Sequence, residues 1–468
     1  MRAMPVSGTR GTLKRVVFIA AAAAIGGFLF GYDSAVINGA VTGIQKRFAV
    51  GNVEIGATVS SALLGSALGA WFAGSLADRL GRLPVMRIAA GLFAISSIGS
   101  GLAFAIYDLA AWRVLGGIAI GMASVIGPAY IAEVAPAAYR GRLGSFQQLA
   151  IVLGIAVSQL VNYALAEVAD GDVRGVLAGL EAWRWMLIAC VVPAGVYLTL
   201  ALLIPESPRF LIAARRLDEA RTVLARVEGE TVDLDGRVAD IESVLRSERR
   251  PRLSDLRGHR LGLLPIVWAG IVLSMFQQFV GINVIFYYSS ALWQSVGISQ
   301  SGSLLISFSS SVINIVGTLI AIALVDRIGR RPLLITGSIG MALSLATASW
   351  AFSSAVKVGA TVTLPGDMGA IALVAANLFV LFFALSWGVV VWVLLGEMFP
   401  NRVRAAALSV AAAAQWLANW LVTVTFPSLS AWNLPVTYLI YAFFAALSAV
   451  FVVRCIRETK GRALEEMG

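Results

Sequence analysis

The sequence predicts an all-α membrane protein with about twelve transmembrane helices in two six-helix halves. Hydrophobic residues make up 59% of the 468 residues and charged residues only 13%, whereas about a quarter of a typical soluble protein is charged. The mean hydropathy is +0.83. The apolar residues are gathered into runs of roughly the 20 residues that a helix needs to cross a bilayer. Several motifs in the loops between these runs occur twice.

The apolar runs fix the predicted spans in order. Run 16–40 is too long for the hydrophobic region of a signal peptide and contains Asp33, so we expect it to be the first transmembrane helix. The predicted spans are 16–40, 54–77, 85–105, 109–132, 143–166, 183–204, 263–290, 302–325, 333–353, 369–396, 405–426 and 435–456.

The distribution of positive charge predicts the orientation of the chain. The formal net charge is +10, with 36 lysines and arginines against 26 acidic residues. Most of the cations fall in alternate loops, which is the pattern that keeps those loops in the cytoplasm. We therefore expect a multi-pass protein of the cell membrane (inner or plasma) with both termini cytoplasmic. Because membrane orientation accounts for the positive charge, we do not expect nucleic acid to be a partner.

An internal repeat divides the chain into two halves. DRLGRLP at 78–84 recurs as DRIGRRP at 326–332, and PESPR at 205–209 is echoed by RETKG at 457–461. Glu133, Pro136 and Arg140 have the spacing of Glu397, Pro400 and Arg404. Such parallel repeats are known from transporters. The predicted division is a first half at 1–204, a helical cytoplasmic linker at 205–262, a second half at 263–456 and a tail at 457–468.

The linker is too charged to span a membrane. Ser207 followed by Pro208 resembles a helix N-cap with proline at the first helical position. We expect amphipathic helices at 208–227 and 235–248, lying against the inner face. The two cysteines, Cys190 and Cys455, fall in separate spans, which indicates neither a disulfide nor a metal site. The single histidine, His259, lies in this linker, so proton chemistry inside the membrane requires a carboxylate.

Three amides mark the predicted seventh span as a binding region. Gln277, Gln278 and Asn283 lie in its middle, beside Gly281. An amide facing lipid is unfavourable, so these side chains are expected to face protein or water. An amide carries donors and acceptors in one uncharged group, which suits an uncharged ligand with many hydroxyl groups. The alternative is that the amides only tie helices together.

Asp33 and Arg113 are the acid and the base that fall well inside predicted spans. Asp33 is about seven residues from the outer end of its span and Arg113 about four from the outer end of its own, so their depths nearly match. Burial favours a neutral carboxyl group, while a neighbouring arginine favours the ionised form. We expect Asp33 to carry a proton and Arg113 to stay charged. A static buried pair is the alternative.

The repeated charged motifs predict two cytoplasmic clusters. The DRxGR loops are expected to pair with the Glu-x-x-Pro-x-x-x-Arg helix ends of the same half and to latch the halves while the molecule opens outward. The alternative is that these charges only set the topology. The predicted latch residues are Asp78, Arg79, Arg82, Glu133 and Arg140 in the first half and Asp326, Arg327, Arg330, Glu397 and Arg404 in the second.

Taken together, the motifs resemble the sugar porter branch of the major facilitator superfamily. They are GGFLFGYDSAVINGA in the first span, the two DRxGR loops, PESPR, FQQFVGIN in the seventh span and SWGVVVWVLLGEMFP in the tenth. The resemblance covers almost the whole chain and is closest to bacterial glucose permeases that couple sugar entry to protons. Two positions depart from the pattern: Ile322 stands where the first copy has Gly74, and Arg457 where the family usually has proline.

The resemblance implies a sugar site and a coupling residue. The implied sugar-contacting residues are Gln148, Gln277, Gln278, Asn283, Asn314, Trp392, Gln415, Trp416 and Asn419. Indole faces can lie on the C–H face of a sugar while amides take its hydroxyl groups, although Trp392 alone also suits a core or interface position. The family's coupled members carry aspartate at the position of Asp33.

These observations predict a monomeric importer of a monosaccharide, most of all D-glucose, with protons by alternating access and with no cofactor beyond the coupling proton. The open alternatives are a facilitator, a symporter for xylose or galactose, and a sugar sensor that does not transport. The spans show no nucleophile–base pair or metal cluster, so we do not expect an enzyme.

Overall fold

A computed structural model describes residues 10–136, 139–229, 233–247, 253–258, 262–358, 361–400 and 403–459. Within these residues, 11 helical segments are long and apolar enough to cross a membrane. The last of them covers two predicted spans, so the twelve predicted spans are all present. His259 and the end of the predicted tail, 460–468, lie outside the described residues.

The first half contains five continuous spanning helices and one that is interrupted. The sixth span is interrupted at Ala189 and Cys190, which the sequence did not predict. A two-stranded hairpin precedes it. The elements are α1 (Arg10–Phe48), α2 (Asn52–Leu80), α3 (Arg82–Leu102), α4 (Ile106–Val134), α5 (Arg140–Val168), β1 (Val176–Leu177), β2 (Leu180–Glu181), α6 (Ala182–Ile188) and α7 (Val191–Leu203).

The linker forms short helices, as expected, but with a different division. The predicted helix 208–227 is two helices, because Arg215 adopts a left-handed φ of 61° that ends the first one. Ser207 is the N-cap, and its Oγ accepts a hydrogen bond from the N–H of Phe210 at 3.4 Å. The elements are α8 (Pro208–Ala213), α9 (Leu217–Glu228), α10 (Leu234–Ser247) and a 3-10 turn (Leu253–Leu256).

The second half has two broken spans and a pair of merged ones. The elements are α11 (Pro265–Phe279), α12 (Ile282–Ser295), α13 (Gln300–Ile328), α14 (Arg330–Ser353), β3 (Val356–Val358), β4 (Thr361–Thr363), α15 (Met368–Leu385), α16 (Trp387–Met398) and α17 (Arg404–Cys455). Helix α17 turns at Asn433, whose φ of −160° and ψ of 100° are not helical, and so supplies the eleventh and twelfth spans.

The alternation of the spans gives the molecule two ends. The basic end carries the turns between α2 and α3 and between α13 and α14, together with the linker helices. Gly81 and Gly329 make these turns with φ of 102° and 105°, a conformation that favours glycine. The opposite end carries the two hairpins and the turn at Ala49.

Candidate functional site

A chain of amides surrounds the break in the seventh span. Gly281, at φ 83°, separates α11 from α12, and a Cβ there would fall 2.7 Å from the ring of Tyr441. The Nδ2 of Asn283 donates to the Oε1 of Gln278 at 2.5 Å. The Nε2 of Gln277 donates to the carbonyl of Trp387 at 2.8 Å, just past the break in the tenth span. The broken helices therefore set polar side chains in the middle of the membrane-spanning layer.

Helix α17 brings a second polar group to the same level. The buried Tyr287 side chain of α12 lies close to the side chains of Asn419 and of Ser34 of α1. The ring of Trp416 packs on Phe30 of α1 with centroids 5.7 Å apart. The Oε1 of Gln415 is buried and has no hydrogen-bond partner among the described residues. A buried acceptor without a partner is unfavourable, and a ligand hydroxyl group would satisfy it.

Three predicted sugar contacts stand apart from this amide chain. Gln148 on α5 is half-buried, Asn314 on α13 is buried, and Trp392 on α16 is 44% exposed. No hydrogen bond within the described residues joins their side chains to the chain of amides. The neighbouring Gln147 is the buried one of the Gln147–Gln148 pair, and it packs against Gly27 and Gly127.

Asp33 and Arg113 form an ion pair inside the first half. The Nη1 of Arg113 lies 3.1 Å from the Oδ2 of Asp33, and both side chains are buried. The Nε of Arg113 has no hydrogen-bond partner among the described residues. For two buried charges, the attraction offsets the cost of removing them from water only when the geometry of the pair is good. The predicted proximity is present, while the roles of the two residues stay a prediction.

The depth argument that suggested this pair is wrong in detail. Helix α1 ends at Phe48 rather than at residue 40, and α4 begins at Ile106. Asp33 is therefore about 22 Å from its helix end and Arg113 about 10 Å from its own, at 1.5 Å per residue. The two still meet because α1 extends beyond the end of its predicted span.

Tyr287 connects the ion pair with the amide region. A small cavity of about 10 Å³, which is roughly the space that one water molecule needs, is lined by Asp33, Ser34, Arg113 and Tyr287. Tyr287 belongs to α12, whose first turn holds Asn283. A change of charge at Asp33 thus acts next to a helix of the second half. Tyr287 was not among the predicted site residues.

The basic end contains the same charged cluster in each half. The Nη2 of Arg82 lies 2.8 Å from Glu133, and that of Arg330 lies 2.7 Å from Glu397. Arg82 also approaches Asp78 at 3.5 Å. These pairs join the DRxGR turns to α4 and α16 of the same half, as the spacing predicted.

Each cluster has two further members that the sequence analysis did not place. Glu206 accepts from the backbone N–H groups of Arg82 and Leu83 at 3.1 Å, so it caps the start of α3. Glu458 accepts from Arg330 and Arg331 in the same way at 3.0 and 2.9 Å. The hydroxyl groups of Ser207 and Thr459 donate to Glu133 and Glu397. The echo of PESPR by RETKG was the available signal, and Arg457 in place of proline does not prevent the second cluster.

For the other predicted latch residues, the structure gives only exposure or no description of the side chain. Arg79 and Arg327 are exposed. The side chains of Arg140, Asp326 and Arg404 lie outside the part of the chain that the structure describes.

The halves meet through buried amides toward the opposite end. The Nδ2 of Asn38 donates to the Oε1 of Gln159 at 3.1 Å, and the Oδ1 of Asn38 accepts from the N–H of Ser290 at 2.9 Å. Gln159 donates in turn to the carbonyl of Phe286 at 3.3 Å. Nearer that end, Gln300 donates to Thr42 at 3.0 Å. These bonds hold α1 and α5 against α12 and α13, so this end is closed. Asn38 and Gln159 are amides in apolar spans, a signal that was applied only to the seventh span.

Comparison with known proteins identifies the family. A family model described as "Sugar (and other) transporter" matches residues 19–468. The chain belongs to this sugar transporter family. The predicted resemblance is therefore confirmed, and with it the all-α, two-half fold of the major facilitator superfamily. The family consists of transporters rather than enzymes.

Individual members of the sugar transporter family match over nearly the whole chain. A glucose transport protein of Synechocystis is 53% identical over 463 residues, with 98% of each chain covered. The D-xylose-proton symporter of Escherichia coli is 36% identical over 95% of this chain and 93% of the relative. The solved inward-open conformation of the xylose transporter XylE from E. coli has a TM-score of 0.81 at 36% identity, covering 97% of this chain and 99% of the other.

Proposed function

We propose that this protein is a sugar:proton symporter of the cell membrane that imports a monosaccharide, most of all D-glucose, by alternating access. The observation that carries the proposal is the buried Asp33–Arg113 pair, 3.1 Å apart, which shares a small cavity with Tyr287 of the helix that holds the amide Asn283. The similarity to a glucose transport protein supports the substrate, and the similarity to a D-xylose-proton symporter supports coupling to protons.

The orientation follows from the distribution of charge. We place the basic end, with both chain termini and the linker, in the cytoplasm, because lysine and arginine are retained on that side. The opposite end, with its two hairpins, then faces outward. In this orientation the closed outer end matches an inward-facing state, and the likeness to an inward-open relative supports the same state.

The charges at Asp33 suggest how a proton drives the cycle. Ionised Asp33 attracts Arg113 and holds α1 against α4. Protonation from the outside removes this attraction and leaves Arg113 without a counter-ion, so the helices rearrange around a bound sugar. After the molecule opens inward, Asp33 releases its proton and the pair reforms. Tyr287 and Ser34, which line the same cavity as the pair, pass the movement between α1 and α12.

Gln277, Gln278, Asn283 and Gln415 hold the sugar hydroxyl groups in this proposal, with Trp416 packed beside them. Gln148, Asn314, Trp392 and Asn419 complete the proposed site, as the resemblance implies. Amides satisfy both the donor and the acceptor of each hydroxyl group without introducing a charge. Most of the site lies in the second half, so that half grips the sugar while the first half moves.

Uptake by purified protein in proteoliposomes tests the function. With a pH gradient and a negative interior, labelled glucose is expected to accumulate more than ten-fold over the outside concentration. Each charge moved is worth about 2.3 kcal/mol per 100 mV, and about 1.4 kcal/mol corresponds to ten-fold. Equilibration without accumulation identifies a facilitator instead. Accumulation of xylose or galactose but not glucose reassigns the substrate.

The basic-end clusters yield a further prediction about the rate of switching. The Arg330 guanidinium makes a bidentate hydrogen-bonded contact with the Glu397 carboxylate. The substitution Arg330→Lys removes this bidentate geometry but keeps the positive charge. We expect sugar affinity to stay within two-fold, transport to slow by roughly ten-fold, and hydrogen exchange to rise at the start of α14, since a hydrogen bond to a charged group contributes about 1.5–3 kcal/mol.

The control for this prediction is Arg454→Gln, which removes an exposed charge at the same end. It is expected to behave as the unmodified protein does. If Arg330→Lys transports and exchanges like the control, the repeated charges set topology only.

A further inference from the structure

A second cavity, remote from Asp33 and the amides, opens at the basic end. Its volume is about 560 Å³, and it lies where α1, the end of α7 and the linker helix α9 meet. Its lining includes Lys14, Arg15, Phe18, Leu203 and Arg226. Nothing in the proposed transport cycle uses these residues.

The described residues that line the cavity are positively charged or apolar, and none of them is an acid. Lys14 and Arg15 from α1 and Arg226 from α9 bring three cations to one opening. None of the three has an ion pair within the described residues. The nearby linker acid Glu228 is held by Arg237 at 2.7 Å, and Glu206 caps α3. Three cations without a counter-ion repel one another, so the opening favours an anionic ligand.

The walls of the cavity are apolar and face outward from the bundle. Phe18 is 49% exposed and Leu203 is 66% exposed. Phe18 lies one turn along α1 from Lys14 and Arg15, and Leu203 is the last residue of α7. A small soluble anion gains nothing from such walls. A molecule with an anionic head and a hydrocarbon chain matches both parts of the cavity.

We infer that this cavity binds an anionic phospholipid, with its phosphate between Lys14, Arg15 and Arg226 and an acyl chain along Phe18 and Leu203. The lipid neutralises the repulsion between α1 and α9, so it fastens the linker to the first half. Helix α9 otherwise docks through its apolar face, which includes Val223 and Leu224. In the orientation proposed above, this phospholipid belongs to the inner leaflet of the membrane. Its binding does not depend on which sugar the protein carries.

Native mass spectrometry of the protein in equal amounts of phosphatidylglycerol and phosphatidylcholine tests the inference. The test variant is Lys14→Gln/Arg15→Gln/Arg226→Gln. The matched control is Arg257→Gln/Arg454→Gln/Arg457→Gln, which removes three exposed cations from the same end. Each cation near an anionic lipid surface is worth about five-fold in affinity. We expect the test variant to lose its preference for phosphatidylglycerol at least ten-fold and the control to stay within two-fold of the unmodified protein.

Two outcomes of that experiment overturn the inference: an unchanged preference in the test variant, or an equal loss in the control. A charge-conserving variant, Lys14→Arg/Arg15→Lys/Arg226→Lys, guards against misfolding and is expected to keep the preference. A last arm distinguishes a lipid from a free anion. If inorganic phosphate in phosphatidylcholine nanodiscs raises the unfolding temperature as much as phosphatidylglycerol does, the ligand is a soluble anion and the lipid assignment is wrong.

Discussion

Asp33→Asn is expected to abolish concentrative sugar uptake while leaving sugar binding in place. Asparagine keeps the size of the side chain and an oxygen that accepts a hydrogen bond from Arg113, but it cannot take up and release a proton. The pair is buried and joined at 3.1 Å, so Arg113 loses its only carboxylate partner within the described residues. Losing one member of a buried ion pair costs about 3–5 kcal/mol, and we expect a lower unfolding temperature as well.

The measurement is uptake against a sugar gradient in vesicles with an imposed proton gradient. The unmodified protein is expected to accumulate sugar more than ten-fold, and Asp33→Asn to reach only equal concentrations on both sides. Counterflow exchange and sugar binding show that the variant is folded and that its sugar site is intact. Asp218→Asn serves as the control, because that carboxylate is fully exposed on the linker. Accumulation by Asp33→Asn would show that another group couples the proton.

Gln278→Ala is expected to weaken sugar binding by ten-fold or more. The Oε1 of Gln278 accepts a hydrogen bond from the Nδ2 of Asn283 at 2.5 Å. The substitution therefore removes one proposed sugar contact, Gln278, and leaves a second one, Asn283, without its partner. Losing a hydrogen-bond partner in a desolvated site costs about 1–3 kcal/mol. Binding is measured by calorimetry or by quenching of tryptophan fluorescence, to which Trp416 contributes in this proposal.

Gln415→Ala separates binding from stability in the same experiment. The Oε1 of Gln415 is buried without a partner among the described residues, so its removal is expected to leave the unfolding temperature unchanged or raise it slightly. Sugar affinity is nevertheless expected to fall. Gln45→Ala is the control, since the Gln45 amide bonds Asn52 near the turn at the opposite end. Unchanged sugar affinity in both Gln278→Ala and Gln415→Ala would place the sugar elsewhere.

The sequence by itself determined the class of the protein and its division into halves. Helices in a membrane satisfy their own backbone hydrogen bonds, so apolar runs such as 54–77 predict their spans almost directly, and α2 (Asn52–Leu80) agrees within a few residues. The repeated DRxGR and Glu-x-x-Pro-x-x-x-Arg spacings predicted the pairing of Arg82 with Glu133 and of Arg330 with Glu397. Asp33 and Arg113 were predicted as partners because they are the acid and the base well inside predicted spans, at depths that nearly match, although the helix ends that set those depths lie elsewhere.

Only the tertiary structure decided where helices break and which polar groups meet across them. The tenth span is broken at Ser386, with φ −134° and ψ −86°, although its sequence is almost entirely apolar and was predicted as one continuous span. The link from Asn38 through Gln159 to Phe286 joins residues more than 100 positions apart. The lining of the basic cavity likewise comes from α1, α7 and α9. Hydropathy reports how strongly a residue prefers an apolar environment to water. Which neighbour that residue contacts depends on the packing of whole helices.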